Sequence, residues 1–220
     1  MAGHRSPSGG LIFAQLLDYR NNFGLACFEN AAKCRPGREL DKELLIQEKI
    51  DILEDGSTFK ENAEKKAIAV SKLYNGYAVA TDGGVLIPSL GANWNGLFTR
   101  RFIGRKDASD FDRIDSLLEM MKDKKGAERD IVWNEAIAIA KSGKLLFSTQ
   151  VEGDRGRVQE TYSRTQYKEG IWQCTVTCYP QFDNKNFFEL NDEERKYGEI
   201  SWYRLKDAVD EWAQNRSLTP

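Results

Sequence analysis

The chain has 220 residues, 40% of them hydrophobic and 30% charged, and its 32 basic and 34 acidic side chains leave a formal net charge of −2. This supports a folded domain that needs no disulfide or structural metal. The near balance of charge excludes a general attraction to nucleic acid or anionic lipid. No apolar run approaches the roughly 20 residues of a bilayer span, and the opening MAGHRSPSGG has no apolar signal core. Residues 1–10 therefore read as a tail, residues 11–220 as one domain, and the protein as cytoplasmic, with no membrane or nucleic-acid polymer as partner.

Cys27, Cys34, Cys174 and Cys178 lack the paired spacing of a zinc site and read as reduced thiols. The sole histidine is His4, in the tail, which removes histidine triads and the usual zinc sites. Chemistry is left to carboxylates, lysines, arginines and a hard metal.

In chain order, GLIFAQLLDYR (10–20) predicts a first strand, and NNFGLACFENAAKC (21–34) a helix that ends before Arg35-Pro36-Gly37. KIDILED (49–55) predicts a short strand. Residues 56–76 predict a helix with Ser57 or Thr58 as N-cap and Gly76 as stop. Its apolar stripe runs through Phe59, Ala63, Ala67, Val70 and Leu73 or Tyr74. Lys66 lies on that stripe. Either its stem packs while the ammonium snorkels outward, or it points into a polar cleft, with Asn62 one turn before it.

YAVATDGGVLIPSL (77–90) predicts a strand interrupted at Thr81-Asp82-Gly83-Gly84, a step that also carries a strong hairpin signal. Asp82 is thus a turn corner or a carboxylate held at a strand end. A glycine-rich loop (89–104) and a helix (108–125) capped by Ser109 or Asp110 come next. Residues 129–158 predict two long strands joined at Ser142-Gly143. GIWQCTVTCYP (170–180) reads as another strand, and a last helix runs from about Ser201 to Asn215. The class is α/β with a mixed sheet. Glu54, Asp55, Lys66 and Asp82 are the residue types that hold magnesium and phosphate, since Mg²⁺ takes few protein oxygens and leaves the rest to water and phosphate.

Three ordered motifs carry a resemblance. DGSTFKENAEKKA (55–67) resembles the G-x-T-F-x-E-N-A-x-x-K-A of the inosine triphosphate pyrophosphatase family. ATDGGVLI (80–87) stands where that family has A-D-D-S-G-L. SLGANWNGLFTRRFIGRKDASD (89–110) resembles its A-L-G-G-x-P-G-x-x-S-A-R-(Y/F)-x-G-x-x-A-(S/T)-D, and FFELNDEER (187–195) its F-A-E-L-x-x-E-E-K. The resemblance implies an elongated mixed sheet with flanking helices, two lobes around a central nucleotide cleft, and a homodimer. It implies a Mg²⁺-dependent hydrolase that converts nucleoside triphosphates, including deaminated purine nucleotides such as ITP and XTP, to monophosphate and pyrophosphate.

Carried over by position, it makes Asp82 and Lys66 catalytic, and Glu54 and Asp82 metal-binding. It gives Arg20, Asn21, Asn22, Lys66 and Arg195 to phosphate, and Ser201 and Arg204 to the base; Trp172 and Trp202 either stack on the base, since every base has a π-face, or are core aromatics. There are departures. Thr81 replaces the first aspartate of the pair, so either Glu61 or Asp55 compensates or metal affinity falls, and Leu25 replaces the lysine of T-N-N-x-G-K. GIWQCTVTCYP and SWYR (201–204) stand in place of F-G-(Y/W)-D-P and S-H-R, so the usual readers of the purine edge are absent. A catalytically weakened nucleotide-binding protein of this fold, or a pyrophosphohydrolase of another nucleotide, is the alternative reading.

Overall fold

The computed structural model describes residues 11–13, 52–105 and 107–217. The expected helix over 21–34 and most of the first strand lie outside these residues, as do Cys27 and Cys34. What is described of that strand is β1 (Leu11–Phe13), which pairs in parallel with β2 (Tyr77–Leu86), Leu11 against Tyr77 and Phe13 against Val79. The sheet has six strands in the order β1-β2-β3-β4-β5-β6, with β3 at Asp130–Lys141, β4 at Lys144–Val158, β5 at Thr177–Tyr179 and β6 at Lys185–Asn186. β1 and β2 are parallel, whereas β5 runs antiparallel to β4 and to β6, so the sheet is mixed, as expected. Five α-helices stand beside it among the described residues: α1 (Phe59–Leu73), α2 (Asp110–Met120), α3 (Trp172–Thr175), α4 (Asp192–Gly198) and α5 (Ile200–Ser217).

The expected turn between β3 and β4 is present. Ser142 and Gly143 both take positive φ, 47° and 83°, the backbone a two-residue hairpin needs. At Asp82 the hairpin expectation fails. β2 continues through Asp82, Gly83 and Gly84, and neither glycine takes a positive φ. β3 is the neighbour of β2 on the side away from β1, and a turn at residues 82–84 would end β2 early and shorten its ladder with β3. Two more expectations need correction. Residues 52–56 form no strand, and Leu53 is exposed. Residues 172–175 are a turn of helix, and the extended part of GIWQCTVTCYP begins only at Thr177.

The chain divides into two compact units. One contains, of the described residues, 11–13, 52–82, 135–151 and 202–217; the other contains 83–134 and 152–201. In the first, Val79, Ile137, Ile139, Trp202 and Leu205 form a core joined by Phe147, Val151, Val209 and Trp212, while Val70 and Ala78 pack with Ile52 and Tyr74. Tyr74 thus closes the α1 stripe, and Leu73 is left exposed.

The second unit has an aliphatic and aromatic core that includes Val85, Trp94, Ile114, Met121, Ile131, Trp172 and Tyr179. Two buried charged side chains brace it. Arg129 donates to the carbonyls of Met121 (2.5 Å), Gln159 (2.7 Å) and Val158 (2.8 Å), which satisfies acceptors at the C-terminal end of α2 and at the end of β4. Asp154, 2% exposed, accepts from the Tyr179 hydroxyl at 2.7 Å. Burial pushes its carboxyl up to about 7, against the pull of that hydroxyl.

The sign of the resulting pH dependence follows directly. The folded chain binds this proton more tightly than the unfolded chain, whose carboxyl titrates near 3.8, so the stabilisation from Asp154 protonation is lost as pH rises through about 7. Asp154→Asn keeps an acceptor for Tyr179 and removes the buried charge. Melting curves should place the variant at least about 5 °C above wild type at pH 8, with the gap closing towards pH 4. An equal gap at both pH values would contradict the assignment.

Candidate active site

α1 is built to hold polar groups on its buried face. Thr58 caps it by accepting from the Glu61 amide at 3.1 Å. The four-residue repeat then places Asn62 and Lys66 one above the other on the face that buries Phe59, Ala63, Ala67 and Val70. Lys66 does not snorkel. Its side chain is 6% exposed, and its ammonium lies 2.8 Å from Asp82 Oδ1 on β2 and 3.0 Å from Glu54 Oε1 on the segment before the helix. It also lies 3.4 Å from the Thr81 carbonyl. The other Asp82 oxygen accepts from Asn62 Nδ2 at 3.2 Å, and Asn62 Oδ1 accepts from the Gly56 amide at 2.8 Å.

Burial works against the Lys66 ammonium, but Asp82 and Glu54 together outweigh it and its pKa rises above the ordinary lysine value. Burial also dominates at Asp82, lifting its carboxyl above the usual range despite Lys66 and Asn62. The lysine is therefore held as a cation, and Asp82 is a carboxylate more basic than one in water. Such a group is suited to orienting or deprotonating a water molecule.

The donor set of Glu54, Asp82 and the Thr81 carbonyl is all oxygen, which fits a hard divalent cation. Among the described residues no three His, Cys, Asp or Glu side chains converge to hold a metal by themselves. Two carboxylates that share a metal with phosphate oxygens are the arrangement magnesium favours. The compensation expected at the Thr81 position is not provided by the side chains proposed for it. Glu61 folds back on the amide and hydroxyl of Ser57 (2.6 and 2.7 Å), and Asp55 pairs with Lys65.

The structure thus brings together Glu54, Lys66 and Asp82, all in the first unit. Arg20, Asn21 and Asn22 lie outside the described residues. Arg195, in the second unit, donates to the Leu190 carbonyl at 3.4 Å and lies over the Phe187 ring. Trp172 is 1% exposed, with its ring stacked on Phe102 at 5.9 Å, and Trp202 is buried in the first unit's core. Ser201 is buried beside Gly153, and Arg204 is exposed on α5. The sequence marks Asn62 only by its position one turn before Lys66, and no local pattern points to its contact with Asp82.

The Ham1 family profile matches residues 28–201, most of the chain. The protein belongs to the Ham1 family. A dITP/XTP pyrophosphatase from Leuconostoc mesenteroides is 33% identical over 153 residues, 66% of this chain and 69% of that protein. One from Halalkalibacterium halodurans is 29% identical over 166 residues, covering 74% and 79%. One from Legionella pneumophila is 39% identical over 94 residues, 47% of that protein's length. Among solved structures, a HAM1 protein from Coxiella burnetii superposes with a TM-score of 0.71 at 22% identity, over 92% of this chain and 99% of that one. At that identity the likeness speaks for the fold. Among the described residues of this Ham1-family chain, no helix is long and apolar enough to cross a membrane.

Lys66→Met would leave Asp82 and Glu54 without the cation between them. Removing one partner from a buried charge cluster typically costs about 3–5 kcal/mol. The loss should be largest where Asp82, whose carboxyl burial raises above its ordinary value, is ionised, so thermal melts should show a deficit at pH 8 that shrinks towards pH 4. A deficit independent of pH would assign Lys66 to packing alone.

Proposed function

We propose that this Ham1-family chain is a Mg²⁺-dependent nucleoside triphosphate pyrophosphohydrolase that acts on deaminated purine nucleotides such as dITP and XTP, as the names of its relatives have it. Water attacks the α-phosphorus and the products are monophosphate and pyrophosphate. The observation that carries the reading is the buried Lys66 ammonium held between Asp82 and Glu54.

When bound, magnesium would be held by Glu54 and Asp82 and would neutralise developing phosphate charge. Asp82, made more basic by burial, orients the attacking water and accepts its proton. Lys66 donates to a phosphate oxygen, with its charge already fixed before substrate arrives, so little reorganisation is required during the reaction. No nucleophilic side chain takes part, and no covalent intermediate forms. Arg195 and the Arg20-Asn21-Asn22 segment are proposed as further phosphate ligands, and Ser201 and Arg204 as contacts to the base. A homodimer in the cytoplasm, acting on free nucleotides, belongs to the same reading.

The test is pyrophosphate release from dITP, XTP, dATP and dGTP, with and without magnesium, in water enriched in oxygen-18. The expected result is magnesium-dependent release from dITP and XTP, with the heavy oxygen in the monophosphate. Binding without release from any of the four would favour the nucleotide-binding alternative, and heavy oxygen in the pyrophosphate would refute attack at the α-phosphorus.

A further inference from the structure

Asn62 is 2% exposed, and its carboxamide is used at both ends. Nδ2 donates to Asp82 Oδ2 at 3.2 Å, while Lys66 holds the other oxygen, Oδ1, at 2.8 Å. Each carboxylate oxygen therefore has its own donor, which fixes the plane of the Asp82 carboxylate. Oδ1 of Asn62 accepts from the Gly56 amide at 2.8 Å, two residues after Glu54. The approach is so close that a Cβ on Gly56 would come within 2.6 Å of that oxygen. One carboxamide thus ties the carboxylate on β2 to the backbone of the segment that carries the other.

We propose, resting on the pyrophosphohydrolase reading above, that Asn62 is a positioning residue of the reaction. It aims the Asp82 lone pairs and fixes the separation of Glu54 from Asp82, and through these two groups it sets both magnesium affinity and turnover. The side chain has to be both donor and acceptor at one depth. Aspartate keeps the acceptor for Gly56 but sets a second negative charge against Asp82, and leucine matches the bulk but supplies neither bond.

The experiment compares wild type, Asn62→Asp, Asn62→Leu, Asp82→Asn and the Asn62→Leu/Asp82→Asn double variant. It uses calorimetric magnesium affinity without nucleotide and kcat and KM for dITP. Outer partners of metal-binding carboxylates are typically worth about 10–100-fold in affinity or activity. Both Asn62 variants should therefore lose roughly tenfold or more in magnesium affinity and in kcat, with KM within about twofold because Lys66 remains. In the Asp82→Asn background, Asn62→Leu should change kcat by less than about twofold, the signature of action through Asp82.

Magnesium affinity and kcat within twofold of wild type in either folded variant, or full additivity in the double variant, would overturn the proposal. So would loss of fold in both variants, which would assign Asn62 to the framework. Should wild type release no pyrophosphate, the functional reading fails on its own, and the magnesium arm still decides this one: unchanged affinity overturns it, and a tenfold loss supports it.

Discussion

The arrangement of the first unit around its polar centre depends on one constraint: the ammonium of Lys66 is buried on a helix that is otherwise packed. An isolated charge in that position would cost several kcal/mol, and the chain would lose its proton or its helix packing instead. The structure places two carboxylates within 3.0 Å of the nitrogen. Meeting that requirement dictates several other features: β2 must stay extended through Asp82, the segment before α1 must return Glu54 to the helix, and Gly56 must be small enough to lie against Asn62.

This explains why polar residues occupy a face of α1 whose other members are Phe59, Ala63, Ala67 and Val70. A cluster of partly desolvated charges, each with a partner, is preorganised, because its dipoles point the right way before substrate arrives. It is also unstable to the removal of any one member. The second unit deals with its buried charges differently. Arg129 donates to backbone carbonyls, with no carboxylate among the described residues within ion-pair distance, and the Asp154 carboxyl accepts from the Tyr179 hydroxyl.

Much of this was legible in the sequence wherever a local rule decides the structure. The three-four spacing of the α1 stripe, the Thr58 cap, the Ser109 cap of α2 and the Ser142-Gly143 turn all depend on neighbours within a few residues. The inclusion of Lys66 on that stripe already marked it as unusual. Asp82-Gly83-Gly84 misleads because the same dipeptides suit a tight turn and an extended strand, and only pairing with a strand distant in sequence decides between them. The Asn62–Asp82 contact spans twenty positions and leaves no local pattern. Trp172 was ambiguous for a related reason: a tryptophan in a short apolar run suits a core or a stacking surface, and here it joins the core.

The central claim is that Asp82 is a reacting carboxylate rather than a structural one, and Asp82→Asn tests it with almost no change of shape. Steady-state pyrophosphate release from dITP at saturating magnesium should fall at least about a hundredfold, since general-base assistance alone is worth about 10²–10⁴, while the variant still melts in one cooperative transition. Equal turnover by wild type and Asp82→Asn would contradict the account.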